Sequence, residues 1–272
     1  MRIVASLGAV AVAAVLAFGL SSCAHQNGVE LKPVADTALA APAATESLAQ
    51  ILARPSRTAA DQARDSRDQV LEVLNFAGFK AGDRIADIFG GGGYYSEILS
   101  NVVGKSGRVQ LINNQPYHDY VKADLAPRLA SGNLQNVDYK ILPPENMALE
   151  PASFDGALII MAYHDIYVSD PTQGWPPIDA AKFLAQISAA LKPGAVLLIV
   201  DHAAANGSGK QNTQALHRID EAFAKADLAA HGFAFEASLE VLRNANDDRS
   251  KGVFNDAVKG KTDRFVHRYR KL

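Results

Sequence analysis

Histidine and aspartate stand side by side at His164-Asp165 and again at Asp201-His202, each just after an apolar run, and a further histidine opens the run His217-Arg218-Ile219-Asp220. A histidine can take up a proton near neutral pH, so these pairs are candidates for general-base chemistry. The same side chains, His164, Asp165, Asp201, His202 and His217, also form a nitrogen and oxygen donor set for part of a divalent metal site. No H-x-x-x-H spacing favours the metal reading, so the preferred assignment is His164 as base with Asp165 beside it, and no metal. A lone histidine is more often structural or simply exposed. The repetition of the pair at the ends of two neighbouring apolar runs is what singles these residues out.

A second stretch bears on ligand binding: Ile85-Ala86-Asp87-Ile88-Phe89, four consecutive glycines from Gly90 to Gly93, then Tyr94-Tyr95-Ser96. Glycines between an apolar run and a helical pattern make a strand-to-helix turn that lets backbone approach a ligand, with free helical N–H groups aimed into the same space. The dinucleotide fingerprint G-x-G-x-x-G fits poorly. It requires Ser96 in its third glycine place, and the acid it wants about 20 residues on is Asn113 or Asn114 here.

These residues need a scaffold, and the chain supplies strand-helix alternation. The hydrophobic pattern predicts a short helix over 46–53 and a charged helix over 58–76. Strands follow at 84–89, 107–113, 137–142, 154–162, 195–201, 233–237 and 262–270, with helices at 94–103, 117–130, 178–191 and 211–230. Such alternation implies an α/β fold with parallel strands and right-handed crossovers. Ligands in that architecture bind outside the carboxyl ends of the strands, where the His/Asp pairs fall. The charges of the first long helix, Asp61, Arg64, Asp65, Arg67 and Asp68, are spaced as a solvated face. The loop 167–177 carries Trp175, the one tryptophan, and is a candidate substrate lid.

In order and spacing, the Asp, the glycine turn, the following GRV strand, FDGALII and LKPGAVLLIVDH resemble the class I S-adenosylmethionine-dependent methyltransferases. Within them the chain is most similar to a bacterial group with a D-x-F-x-GGGYY turn (Asp87 to Tyr95), His164-Asp165, Val200-Asp201-His202, His217-Arg218-Ile219-Asp220 and Thr262-Asp263-Arg264-Phe265. The resemblance covers roughly residues 55–271. It implies a Rossmann-like, doubly wound, mostly parallel seven-stranded sheet with helices on both faces and a reversed last strand. It also implies S-adenosyl-L-methionine as cofactor, held by Asp87, Gly91, Gly93 and Tyr94, with Asn113 at the ribose position and Glu145 and Asn146 on the adenine side. The acceptor would then lie against Asp201, His202, His217, Arg218 and Trp175, with methyl transfer by in-line displacement.

A chain of 272 residues, 48% apolar and 21% charged, can bury one such domain plus extensions. A net charge of -2, with no long basic stripe, argues against a nucleic-acid partner. Residues 1–22 read as an export signal, and Leu20-Ser21-Ser22-Cys23 resembles the lipobox of bacterial lipoproteins. Cys23, the single cysteine, would be lipidated, with an uncleaved membrane anchor as the alternative. Residues 23–45 read as a tether and 46–272 as the methyltransferase-like domain. The expected location is the cell envelope, at the periplasmic face of the outer membrane, with a small-molecule or envelope substrate. Fold and location pull apart, since the cofactor is made in the cytoplasm. Two alternatives therefore stay open: a non-catalytic envelope binding or scaffold protein on this fold, and a metal-dependent envelope enzyme.

Overall fold

The computed structural model describes residues 46–272; the export signal, Cys23 and the tether lie outside the described residues. Seven strands form one sheet: β1 (Arg84–Ile88), β2 (Arg108–Asn113), β3 (Val137–Ile141), β4 (Phe154–Ile160), β5 (Leu191–His202), β6 (Phe233–Leu239) and β7 (Arg264–Lys271). Their order is β3-β2-β1-β4-β5-β7-β6. All pairings are parallel except those of β7, which runs antiparallel to both β5 and β6. The strand order reverses between β1 and β4, which opens a crevice at their carboxyl ends.

Helices cover both faces because the central strands are apolar on both. Ala86, Ile88, Ala157, Ile159, Leu197 and Ile199 pack with Phe183, Leu184 and Ile187 of α6 (Ala180–Ala190) and Leu228 of α8 (Glu221–Ala230). The alternate residues Ile85, Leu158, Leu198 and Val200 face α1 (Leu48–Leu52), α3 (Val70–Ala77) and α4 (Tyr94–Val103). The period of two assigns each strand side chain to one layer. After β2, α5 (Gln115–Ala130) packs Val121 and Leu125 on Leu111.

Two predicted helices are broken, each by a side chain with an inward partner. The helix expected over 58–76 divides into α2 (Ala59–Arg67) and α3, with Gln69 left-handed at φ 46°. Asp68, at the break, is 1% exposed and turned toward Arg264 of β7. The helix expected over 211–230 divides into α7 (Thr213–Leu216) and α8, with His217 left-handed at φ 53°. Arg218 is fully buried there, and Ile219 makes a parallel bridge to Ala203 at the end of β5.

Candidate functional site

Beyond the carboxyl ends of β4, β5 and the start of β7 lies a cavity of about 730 Å3. Its lining joins His164, Asp165, His202 and His217 with Tyr117, Met161, Trp175, Phe254 and Arg264. The chain leaves β4 through Met161, held at φ 53°, and winds into a single 3-10 turn, His164–Tyr167. That turn places His164 over the end of β5. Asp201, with no exposed surface, accepts from the His164 backbone N–H and ring Nδ1 at 2.7 Å each, and from the His202 N–H at 2.7 Å. Both Asp201 oxygens already accept backbone N–H groups, so Nδ1 is the donor to this carboxylate and Nε2 faces forward. Forward of it stands Asp165, its Oδ1 3.1 Å from His164 Nε2 and 3.5 Å from His217 Nδ1. The other Asp165 oxygen accepts from the Tyr117 hydroxyl.

Electrostatics separate the two strand-end histidines. Burial alone would lower His164, but the carboxylates of Asp201 and Asp165 outweigh it and push the ring up to about 10. Burial raises Asp165, and His164, His217 and Tyr117 override it, leaving the carboxyl below the usual carboxylate range. His202 goes the other way, well below its ordinary value, through burial and the positive neighbours His164, Arg264 and Arg218. Its Nδ1 lies 2.7 Å from Thr262 Oγ1. An imidazole held charged at neutral pH is a poor proton acceptor, so in this geometry His202, rather than the expected His164, is the neutral ring facing the cavity.

The glycine turn is organised differently. Gly91 and Gly93 take left-handed backbones, φ 58° and 79°. A Cβ on Gly90 would come within 2.5 Å of the Asp87 carboxylate and of Leu111, so that glycine serves internal packing. Asp87 is 1% exposed and accepts from Ser96 Oγ at 2.7 Å; burial, only partly offset by Ser96 and Arg64, pushes its carboxyl up to about 6. Asn113 is fully buried and spends its amide on one residue: Oδ1 accepts from Gly91 N–H at 3.0 Å and Nδ2 donates to Gly91 O at 2.9 Å. Phe89, left-handed at φ 53°, is stacked between Tyr117 at 4.8 Å and Phe183 at 5.1 Å.

Tyr94 is buried under the first helices, its hydroxyl bonded to Asp65 and its ring 4.0 Å from the Arg64 guanidinium. Most of the charges of α2 are therefore turned to partners rather than solvated, although Arg67 keeps about half of its side chain exposed. Asp61 pairs with Arg128 at 2.9 Å, Arg57 pairs with Asp65, and Asp68 meets Arg64, Arg67 and Arg264 at 2.9, 3.0 and 2.8 Å. Arg218 is likewise structural: its fully buried guanidinium is held by Asp247 at 2.8 Å and by the carbonyls of Ala203 and Lys251.

Of the predicted site residues, the structure brings His164, Asp165, Trp175, His202 and His217 to the cavity wall, and Asp201 supports them from beneath. It leaves Arg218 and Tyr94 buried in ion-pair networks, while Glu145 and Asn146 are exposed on the loop after β3. Tyr117, Met161, Phe254 and Arg264 went unassigned by sequence reasoning. Only Arg264 had a signal, its place in the Thr262-to-Phe265 motif.

No protein-family model matches the chain, and no curated protein matches it in sequence. Solved structures do. A SAM-dependent methyltransferase from Aquifex aeolicus has 21% identity and a TM-score of 0.53, covering 74% of this chain and 88% of its own. An S-adenosylmethionine-dependent methyltransferase from Mesorhizobium loti has 16% identity and a TM-score of 0.51, covering 74% and 97%. Geranyl diphosphate C-methyltransferase from Streptomyces coelicolor, solved with Mg2+, geranyl diphosphate and S-adenosyl-L-homocysteine, has 12% identity and a TM-score of 0.54, covering 89% and 91%. The chain thus shares the Rossmann-like α/β fold of these solved methyltransferases. Against the cofactor itself, the turn fits at its glycines: a Cβ on Gly91 or Gly92 would meet nothing nearer than 3.8 or 3.5 Å. It fits less well at the expected ribose position, where the Asn113 amide is already spent on Gly91.

Proposed function

We propose that this chain is a methyltransferase-like enzyme that uses S-adenosyl-L-methionine and methylates an acceptor bound in the strand-end cavity. The observation that carries the reading is the open glycine turn at the point where the strand order reverses, with a 730 Å3 cavity at the ends of β4 and β5 that reaches toward it through Tyr117, stacked on Phe89. The cofactor, when bound, supplies an electrophilic methyl group. Gly91 and Gly92 would present backbone to its methionine end, Asp87 would hold the turn from beneath, and Glu145 and Asn146 would lie toward the adenine. Tyr117 and Trp175, in edge contact at 5.4 Å, would bound the space between cofactor and acceptor. The chain's own task in such a transfer is alignment and removal of the acceptor's proton. Among the strand-end imidazoles, His202 is the proton acceptor best suited to it.

We further propose that the enzyme is lipid-anchored through Cys23 in the cell envelope and acts on a small-molecule or envelope substrate. Cys23→Ser should move it from the membrane to the soluble fraction.

The test of the cofactor reading is calorimetric titration of S-adenosylmethionine and S-adenosylhomocysteine into the full chain and into Gly92→Trp, which fills the open face of the turn. Micromolar binding, about -8 kcal/mol, lost in the variant, supports it. No binding at millimolar cofactor overturns it in favour of a non-catalytic envelope protein on this fold, the reading that the inward-turned Asn113 amide and the Phe89 stack favour.

A further inference from the structure

We propose that His164, Asp165 and His217 bind a divalent first-row transition-metal ion on the wall of the cavity. Each offers one donor atom, and the three atoms lie within 4.8 Å of one another. Metal bonds of about 2.1 Å place neighbouring donors about 3.0 Å apart at right angles and about 3.4 Å apart at tetrahedral angles. The observed separations, 3.1 Å from His164 Nε2 to Asp165 Oδ1 and 3.5 Å from His217 Nδ1 to the same oxygen, match those spacings.

The support around the three residues is of the kind that metal ligands require. Protein-bound imidazoles that ligate a metal through one nitrogen usually give the other to a carboxylate, which fixes tautomer and ring orientation. His164 gives its Nδ1 to the fully buried Asp201 and turns Nε2 toward Asp165, and the proton held between Nε2 and that carboxylate is released when the ion binds. Asp165 is oriented in the same way, since the Tyr117 hydroxyl occupies Oδ2 and leaves Oδ1 for the cluster.

His217 supplies the third, independent observation. It adopts φ 53°, a backbone conformation uncommon for residues other than glycine, and lies directly before Arg218, whose guanidinium is locked to Asp247, Ala203 and Lys251. Its ring is wedged between His164, centroids 5.4 Å apart, and Phe254, 5.0 Å. A proton shared between His164 and the two carboxylates accounts for the first pair of contacts. A hydrogen bond from His217 to the same Asp165 oxygen accounts for that contact, but not for the strained backbone on which a second imidazole is brought there. A cation that needs three donors accounts for both.

Two imidazoles and one carboxylate suit Zn2+, Fe2+ or Co2+ better than Mg2+ or Ca2+, which favour all-oxygen shells. Three protein donors leave coordination positions open toward the cavity. An oxygen-bearing acceptor or a water could fill them. The inference goes beyond the methyltransferase reading and does not depend on it.

The test is titration of Co2+ and Zn2+ into the metal-free full chain, followed by calorimetry and, for Co2+, by visible absorption. One equivalent should bind with a micromolar or tighter Kd and develop a ligand-field spectrum. Asp201→Asn, which touches no ion, should weaken binding about 10- to 100-fold, as loss of an orienting partner does. His217→Ala should weaken it more and change the spectrum, and His202→Asn should leave Kd within about threefold. His217→Gln, checked for folding by circular dichroism, repeats the His217 arm with less loss of packing. Wild-type protein that binds neither ion below millimolar concentration, or binding equally tight in both folded His217 variants, overturns the site. Titrating S-adenosylhomocysteine into the same samples separates a failed metal site from a failed cofactor site.

Discussion

The cluster of ionisable side chains over the glycine turn and the one at the strand ends differ in what their charges face. Over the turn, carboxylates and guanidiniums neutralise one another: Asp61 with Arg128, Asp65 with Arg57, Asp68 with three arginines. At the strand ends, His164, Asp165, His202 and His217 line a cavity. The first cluster is a clamp that fixes α2 against α5 and the α2–α3 break against β7. The second keeps donor atoms available. Arg264 joins the two, since it binds Asp68 and also lines the cavity, where its Nε has no partner.

The sharpest way to break this comparison is to open the clamp. Asp68→Ala would leave Arg264, whose side chain is 7% exposed, as an uncompensated buried charge. Removing one partner of a buried pair costs about 3–5 kcal/mol, and urea denaturation should show a loss of that size. Burial would raise the Asp68 carboxyl, but Arg67, Arg264 and Arg64 hold it well below the usual carboxylate range. Its contribution is therefore full above the unfolded pKa of about 4 and is lost as pH falls below it. His217→Ala, at the open cluster, should cost less than about 1 kcal/mol. Equal losses in the two variants would erase the distinction.

How legible this was in the sequence follows from the same contrast. The sheet could be read because each central strand is a continuous apolar run, and the helix over 94–103 coincides with α4. The two His/Asp pairs could be placed at strand ends because a strand-end position follows from order along the chain. Long-range partners could not be placed. Nothing local in Asp61-to-Asp68 distinguishes a solvated face from a clamp whose partners are Arg128 and Arg264, 67 and 196 residues away. For the same reason Tyr117 escaped notice, although it orients Asp165. Asn113 was placed correctly at the end of β2, but its inward hydrogen bonds to Gly91 had no sequence signal.

Asp87 sharpens the comparison with a smaller effect of opposite sign. It is a carboxylate beneath the clamp with no guanidinium bonded to it, and burial pushes it up to about 6. The folded protein then holds this proton more tightly than the unfolded chain. Between the unfolded pKa, about 4, and the folded value, stability falls as pH rises; above both values the penalty is constant. Asp87→Asn should remove that slope and stabilise the protein at pH 7 by an amount on the order of 1–3 kcal/mol. A denaturation series from pH 4 to 8 reads both. An unchanged slope would mean that Asp87 is paired in solution and belongs to the clamp.

The smallest effect belongs to a third kind of cluster, which tests whether pairing alone or pairing with burial makes the clamp. Glu236 accepts from Arg268 Nε at 2.8 Å and from Arg270 Nε at 2.9 Å, a geometry as good as that around Asp68. Yet Glu236 is a third exposed and Arg270 nearly half, so water can replace either partner. Exposed pairs of this kind contribute about 0–1 kcal/mol and weaken with salt. Glu236→Gln should therefore shift the urea midpoint by no more than that, and the shift should vanish in 1 M NaCl. The Asp68→Ala loss should largely survive the same salt, because no ion reaches a carboxylate with 2% of its side chain exposed. A salt-insensitive loss above about 2 kcal/mol at Glu236 would place the determinant in hydrogen-bond geometry rather than in burial.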